Sequence, residues 1–379
     1  MSEKLAPLTS LRFVAAMMIL FHHGHAEFKT IGTAVAGLPL SGGVSFFFVL
    51  SGFILAYSNP RIPSFSAALE FWGKRFARIW PIHIATILLL LVMNAKISGG
   101  TFETAGAITA NVLLLQSWFS DFRYIFSLNA VSWSISAEAF FYLLFPALIY
   151  RIDQTWAVKL ALCSVLVVLS CLFYQDQATA GTLPESVFPT WMLIQFSPPA
   201  RLLEFMAGIV AFVLWRKHLQ NLAISRAGWT VIEAIVIAIA VTAWMQSHRI
   251  PVHLLGDFAR GWWFLAGVFI VPATLIILLM ATSKGIISTV LNKRPLVFLG
   301  EISFSLYMVH QLVLRFYQNS RSLFNGYPND AVMIWYIGTS ILAAAILWLA
   351  VEEPCRRVIV ARFRRVGQTN ARTIAPATS

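Results

Sequence analysis

Ionisable side chains at helical spacing inside apolar stretches are the residues of this sequence that could do chemistry. Each costs a few kcal/mol at a bilayer centre on insertion scales, which makes each a functional candidate. The first such stretch holds Arg12, His22 and His23. Eleven residues make about three helical turns, so Arg12 and His23 share one face roughly 16 Å apart along the axis, and His22 points about 80° away. Histidine exchanges a proton near neutral pH, which suits acid–base work; the plain alternative is a snorkelling arginine with two hydrogen-bonded histidines. The segment FWGKRFARIWP sets Arg75 and Arg78 at i,i+3 before a proline. That pair fits either a positive-inside anchor or a phosphate-binding cluster.

Further along, NAVSWSISAEAFFYLLFP places Glu138 and Tyr142 at i,i+4, a carboxylate and a phenol on one face, expected at the outer mouth of a span. ARLLEFMAG puts Arg201 and Glu204 at i,i+3, a spacing that an intrahelical ion pair explains by itself. LGEISFSLYMVHQ carries Ser303, Tyr307 and His310 as a polar stripe that sets a histidine about halfway across an apolar span. GGVSFFFVLSGFIL offers Gly42–Gly43 and Ser51–Gly52, small residues suited to close helix packing, and VEEPCRR closes the last span with Glu352 and Pro354.

The elements that must position these groups are transmembrane helices. The chain is 58% hydrophobic and only 12% charged, with a mean hydropathy of +0.74, which excludes an ordinary water-soluble domain. Its net charge of +12 comes from basic residues clustered at span ends, so topology explains it and nucleic acid is not an expected partner. About ten spans are expected in an all-α polytopic bundle: Leu11–Gly24, Val44–Tyr57, Ile79–Met93, Ala137–Tyr150, Ala157–Tyr174, Leu202–Trp215, Val231–Met245, Trp262–Met280, Val297–Phe316 and Val332–Val351. Ala105–Trp118 is short and flanked by polar residues, and reads as interfacial or re-entrant. Alternate loops then carry 20 and 8 basic residues, which puts both termini in the cytoplasm of a multi-pass protein. The N-terminus lacks a signal-peptide pattern, so the first span is expected to be retained. Cys163, Cys171 and Cys355 have no zinc or redox spacing and read as structural. Residues 1–366 read as one domain and 367–379 as a disordered tail.

Taken in order, these segments resemble the acyltransferase 3 family of integral-membrane O-acyltransferases. The matching residues are Arg12, Ala15 and His23; the FFFVLSGF block Phe46–Phe53; and Arg75, Arg78 and Pro81. Then come Trp133, Ser134, Glu138, Phe141, Tyr142 and Pro146; Arg201, Glu204, Phe205 and Gly208; Ser303, Ser305, Leu306, Tyr307 and His310; and Glu352 with Pro354. The sequence departs from the pattern in its tandem His22–His23 and in His83, which stands where the family often has an aromatic residue. It also carries no fused esterase-like domain, so a stand-alone transferase is expected.

The resemblance implies a bundle of roughly ten helices in the bacterial inner membrane that takes an acyl group, usually acetyl, from cytoplasmic acyl-CoA. The acceptor would be a hydroxyl of an envelope or exported glycan or a lipid-linked sugar. On this reading Arg12, Arg75 and Arg78 bind the coenzyme A phosphates, and the pantetheine arm carries the thioester toward His23, Glu138, Arg201 and His310 in the outer half. His23 serves as general base, oriented by Glu138, or forms a transient acyl-histidine; Arg201, Tyr307 or His310 faces the acceptor or the developing oxyanion. No metal is expected. A proton-coupled secondary transporter is the competing expectation, because intramembrane His, Glu and Arg also form proton relays.

Overall fold

In hydrocarbon every backbone N–H and C=O must be paired within the chain, and helices achieve this segment by segment. The computed structural model describes residues 5–29, 38–97, 104–183, 192–246, 269–361 and 363, and among these no strand occurs. α1 (Ala6–Phe28) begins with Pro7 in its first turn, where a missing N–H leaves no bond unmade. α2 (Gly43–Ser58) follows a 3₁₀ turn, α3 (Phe65–Ile97) carries Pro81 within its length, and α4 (Ala105–Val112) is short. Next come α5 (Trp133–Ile149), α6 (Ile152–Thr179), α7 (Pro198–Leu214), α8 (Arg226–Gln246) and α9 (Ile270–Met280). The chain ends in α10 (Ile286–Leu291), α11 (Arg294–Glu301), α12 (Ser303–Asn319) and α13 (Asn329–Leu347). α7 and α13 each run on into a π-turn, Trp215–Leu219 and Trp348–Glu352.

Among the described residues, seven helical segments are long and apolar enough to cross a membrane, eight if α11 and α12 count as one span. The protein is therefore an all-α, multi-pass membrane protein. α1 has 23 residues, about 34 Å at 1.5 Å per residue, but Arg12, His22, His23, His25 and Glu27 dilute its apolar content. Apart from Tyr150, Phe269 and Ile302, every expected span is helical where it is described; residues 262–268 and the expected tail 367–379 lie outside the described residues. One expectation needs correcting. Val297–Phe316 is not a straight span but is bent by 59° between α11 and α12. At the bend the Gly300 backbone lies so close to the Thr9 carbonyl of α1 that a Cβ there would collide with it, and Ser303 Oγ donates to the Gly300 carbonyl at 2.7 Å.

α7 is the axis of the bundle: 89% of its span is buried, against 17% for α6 on the outside. It meets α2 backbone to backbone. A Cβ on Gly52 would strike the Phe205 carbonyl and one on Gly208 the Val49 carbonyl, so the two glycines permit this crossing reciprocally. Phe205 then stacks on Phe141 of α5 at 5.1 Å between ring centroids, and Phe141 meets Phe48 of α2 edge-on at 5.0 Å. The Ala105–Trp118 segment does not cross: it is an eight-residue helix followed by a 3₁₀ turn, Gln116–Trp118. Buried amides and hydroxyls tie it to the start of α5. Gln116 Nε2 donates to the Ser132 carbonyl (2.9 Å), Ser117 Oγ to that of Trp133 (2.9 Å), and Ser136 Oγ to that of Leu114 (2.6 Å). His83 of α3 is buried and donates from Nε2 to the Asn111 carbonyl at 2.9 Å. Irregular backbone inside a membrane protein is tolerated only when satisfied in this way, and the result fixes the turn from which Glu138 projects.

Candidate active site

Five helices surround a cavity of about 120 Å³ whose polar lining includes Arg12 of α1, Ser51 of α2, Arg75 and Arg78 of α3, and Glu138 and Tyr142 of α5. Phe304 and Tyr307 of α12 complete the wall. The Glu138 carboxylate accepts from Ser51 Oγ at 3.2 Å and from the Tyr142 hydroxyl one turn further along α5. Arg78 is ion-paired with Glu352, whose other oxygen accepts from Ser305 Oγ at 2.6 Å. Glu352 is 1% exposed and is the last residue of the π-turn ending α13. Such a turn inserts one residue into the helical repeat and re-aims the side chains beyond it, and π-turns recur at functional sites for that reason. Arg12 and Arg75 have no ion-pair partner among the described residues. Three guanidinium groups thus face two carboxylates in a largely buried space, an excess of one positive charge that an anionic group would balance.

The second cluster pairs α1 with α12. His23 Nδ1 lies 3.1 Å from His310 Nε2, and His310 is buried. Hydrogen-bond logic assigns the protons. His310 Nδ1 faces the Leu306 carbonyl at 3.3 Å, so it carries the hydrogen and its Nε2 must accept. His23 therefore donates from Nδ1, which leaves its Nε2 with a free lone pair, the state a general base requires. Of the tandem pair, His22 is exposed and only touches His23 edge-on, at 5.2 Å between centroids.

The grouping differs from the sequence expectation in two respects, the places of Glu138 and Arg201. Glu138 sits with the three arginines and not with His23, whose ring partner is His310. Face sharing along α5 cannot reveal this, because which neighbour the Glu138 face meets is set by the packing of α5 against α2 and α3. Tyr307 stands between the groups: it lines the cavity, and its ring centroid is 5.9 Å from that of His310. Its hydroxyl lies 2.9 Å from the Val131 carbonyl and 2.8 Å from Ser134 Oγ, so its one proton is used inside the protein, and it acts as a strut joining α12 to the start of α5. Arg201 lies outside the cavity lining. It pairs with Glu204 at 3.1 Å, reaches Ser45 Oγ at 3.3 Å, and rests on the rings of Phe48 and Trp133 at 5.0 and 5.6 Å. Ser51, which lines the cavity, and Glu352, which holds Arg78 from behind the lining, are presented by the sequence only as a packing serine and a span-closing acid. Their roles depend on partners 87 and 274 residues away, and no local spacing signals them. Among the described residues no group of three or more His, Cys, Asp or Glu is placed to hold a metal ion.

The family model for the acyltransferase domain of the acyltransferase 3 family matches residues 7–351. The chain belongs to that family. Acyltransferase MdmB of Streptomyces mycarofaciens is 30% identical over 385 residues, covering 94% of this chain and 92% of that protein. O-acetyltransferase OatA of Staphylococcus aureus is 24% identical over 92% of this chain, which spans 57% of OatA. A protein of Caenorhabditis elegans, nose resistant to fluoxetine protein 6, is 24% identical over 83% of this chain and 44% of its own length. No solved structure matches. This acyltransferase is thus a multi-pass membrane enzyme, which displaces the transporter alternative, and the cavity and the histidine pair are its candidate machinery.

Proposed function

We propose that the protein moves an acyl group, most simply acetyl, from cytoplasmic acyl-CoA to a hydroxyl of an envelope or exported glycan or a lipid-linked sugar, in a bacterial inner membrane with both termini cytoplasmic. The observation that carries this reading is the cavity shared by Arg12, Arg75 and Arg78, which would take the coenzyme A phosphates through charge-assisted, bidentate hydrogen bonds. Glu138, held by Ser51 and Tyr142, offsets part of the guanidinium groups' positive charge.

In the transfer step His23 Nε2 takes the proton of the acceptor hydroxyl while that oxygen attacks the thioester carbonyl. The tetrahedral intermediate collapses with cleavage of the C–S bond, and the departing thiolate receives the proton from the His23 imidazolium. His310 supports the imidazolium by accepting from His23 Nδ1, the orienting role that a carboxylate plays in a serine-hydrolase triad. The His310 Nδ1–H is committed to a backbone carbonyl, so His310 orients rather than donates to the oxyanion. Arg201 would reach a substrate only if its bond to Glu204 opened. Purified protein in lipid vesicles, given radiolabelled acetyl-CoA, tests the reading: wild-type protein should hydrolyse or transfer the acetyl group, and His23→Ala should not. Wild-type protein that leaves acetyl-CoA intact with and without glycan acceptors would sink it.

A further inference from the structure

α1 borders a second space, and this one holds no ionisable group. Leu11, Val14 and Met18 of α1 face Val241, Trp244 and Met245 of α8 across a slot of about 640 Å³, closed behind by apolar side chains of α2, α9 and α10. The spacings, i, i+3, i+7 on one helix and i, i+3, i+4 on the other, mean that the slot runs along the helix axes. Its lower end is fixed where Ser10 Oγ donates to the Leu291 carbonyl at 2.5 Å. At its other end the Trp244 indole donates to the Pro39 carbonyl at 3.1 Å, beside Gly42, and the next residue, Gly43, packs on Ala15 and Ile19 of α1. The slot therefore climbs α1 from the level of Arg12 toward His23.

Its chemistry selects the occupant. The lining side chains are apolar apart from the Trp244 N–H, which is engaged. A peptide segment would bring N–H and C=O groups with nothing to pair them, at several kcal/mol each, and a protein helix about 10 Å across would not fit edgewise. A hydrocarbon chain brings no such groups. At about 30 Å³ for a water-sized group, the slot accommodates roughly twenty, the size of one long chain. Val14, Val241 and Met245 are 47%, 42% and 44% exposed, so the slot opens sideways to the lipid. Only α1 and α2 separate it from the arginine cavity: Leu11 adjoins Arg12, and Phe46 adjoins Phe47 and Phe48 of the cavity wall. Given the acyl-transfer reading on which this rests, we infer that the slot seats the hydrocarbon tail of a lipid-borne acceptor, with its hydroxyl-bearing head at the His23 end.

A synthetic hexadecyl glucoside carrying a diazirine near the chain end tests this on the full-length protein in phosphatidylcholine vesicles. Photolysis should label the end of the slot away from His23, α1 at Leu11–Val14 and α8 at Ile237–Val241. Excess unlabelled hexadecyl glucoside should reduce this labelling at least tenfold, and so should Val14→Trp with Val241→Trp, or Met245→Trp alone, each variant being recovered folded from the membrane. Label spread evenly over the outward faces of α6 (Leu162, Leu169) and α13 (Ile334, Leu342) would overturn the inference. So would a diazirine phosphatidylcholine that labels the slot and resists displacement by the glucoside, since the slot would then belong to bulk lipid. Labelling needs no turnover: a protein that labels as expected but leaves acetyl-CoA intact overturns the transfer reading and not the tail seat.

Discussion

Replacing Arg78 with alanine strips Glu352 of its cationic partner, whereas replacing Arg75 strips no carboxylate at all, so two arginines of one cavity should fail in different ways. Glu352 is 1% exposed and would keep only the Ser305 hydroxyl. Removing one member of a buried ion pair costs about 3–5 kcal/mol; the Arg78 side chain is 20% exposed, so water enters and the lower figure, about 3 kcal/mol, applies. Arg75→Ala loses a cation–π contact with Phe71, at 5.7 Å, worth about 0.5–1 kcal/mol. If the proposed phosphate contacts hold, both variants should lose a charge-assisted hydrogen bond of about 1.5–3 kcal/mol and raise the KM for acyl-CoA about 10- to 150-fold with a smaller change in kcat. Adding Glu352→Gln to Arg78→Ala removes the stranded charge and should restore most of the stability while leaving the KM defect. Thermal unfolding of the purified variants in detergent, read beside steady-state kinetics, separates the two effects. Equal unfolding temperatures for Arg75→Ala and Arg78→Ala would refute the stranded-charge argument, and a wild-type KM in Arg75→Ala would refute its phosphate contact.

The same geometry sets four other outcomes. His23→Ala and His310→Ala should each lower kcat by about 10²–10⁴ with the protein still in the membrane, and His22→Ala should keep most activity; the opposite order for His22 and His23 would show that the base is misassigned. Gly208→Ala drives a Cβ into the Val49 carbonyl and should remove folded protein from the membrane fraction, whereas Gly338→Ala, with nothing within 4 Å, should be neutral or slightly stabilising by thermal unfolding. Tyr307→Phe keeps the ring but loses the bond to Val131, so it should cost about 0.5–1.5 kcal/mol and lower activity only partly; complete loss would mean that the hydroxyl touches substrate. In a protein cleared of its three native cysteines, Ser322→Cys should react with an impermeant thiol reagent from outside intact cells and Ser64→Cys should not, both positions being exposed; the reverse would invert the topology.

Helical class and the polar stripes are legible in the sequence because hydropathy and i,i+3/i+4 spacing are local properties; about ten spans are expected from it, and among the described residues seven helices, or eight with the bent pair, are long and apolar enough to cross. Arg201 with Glu204, and Glu138 with Tyr142, pair within one helix, and the structure brings both pairs together. The 59° break at Ile302 was not legible, because it depends on Gly300 meeting Thr9, nearly three hundred residues earlier. Nor were the partners of the key groups: His23 with His310, Arg78 with Glu352 and Ser51 with Glu138 lie 287, 274 and 87 residues apart. A water-soluble helix marks its inward face by alternating apolar and polar residues. A membrane helix is apolar toward both lipid and core, so its sequence sets how far it reaches but leaves its rotation open. Backbone contacts at Gly52, Gly208 and Gly300, together with the π-turn before Glu353, fix that rotation and decide that Glu138 stands among the arginines.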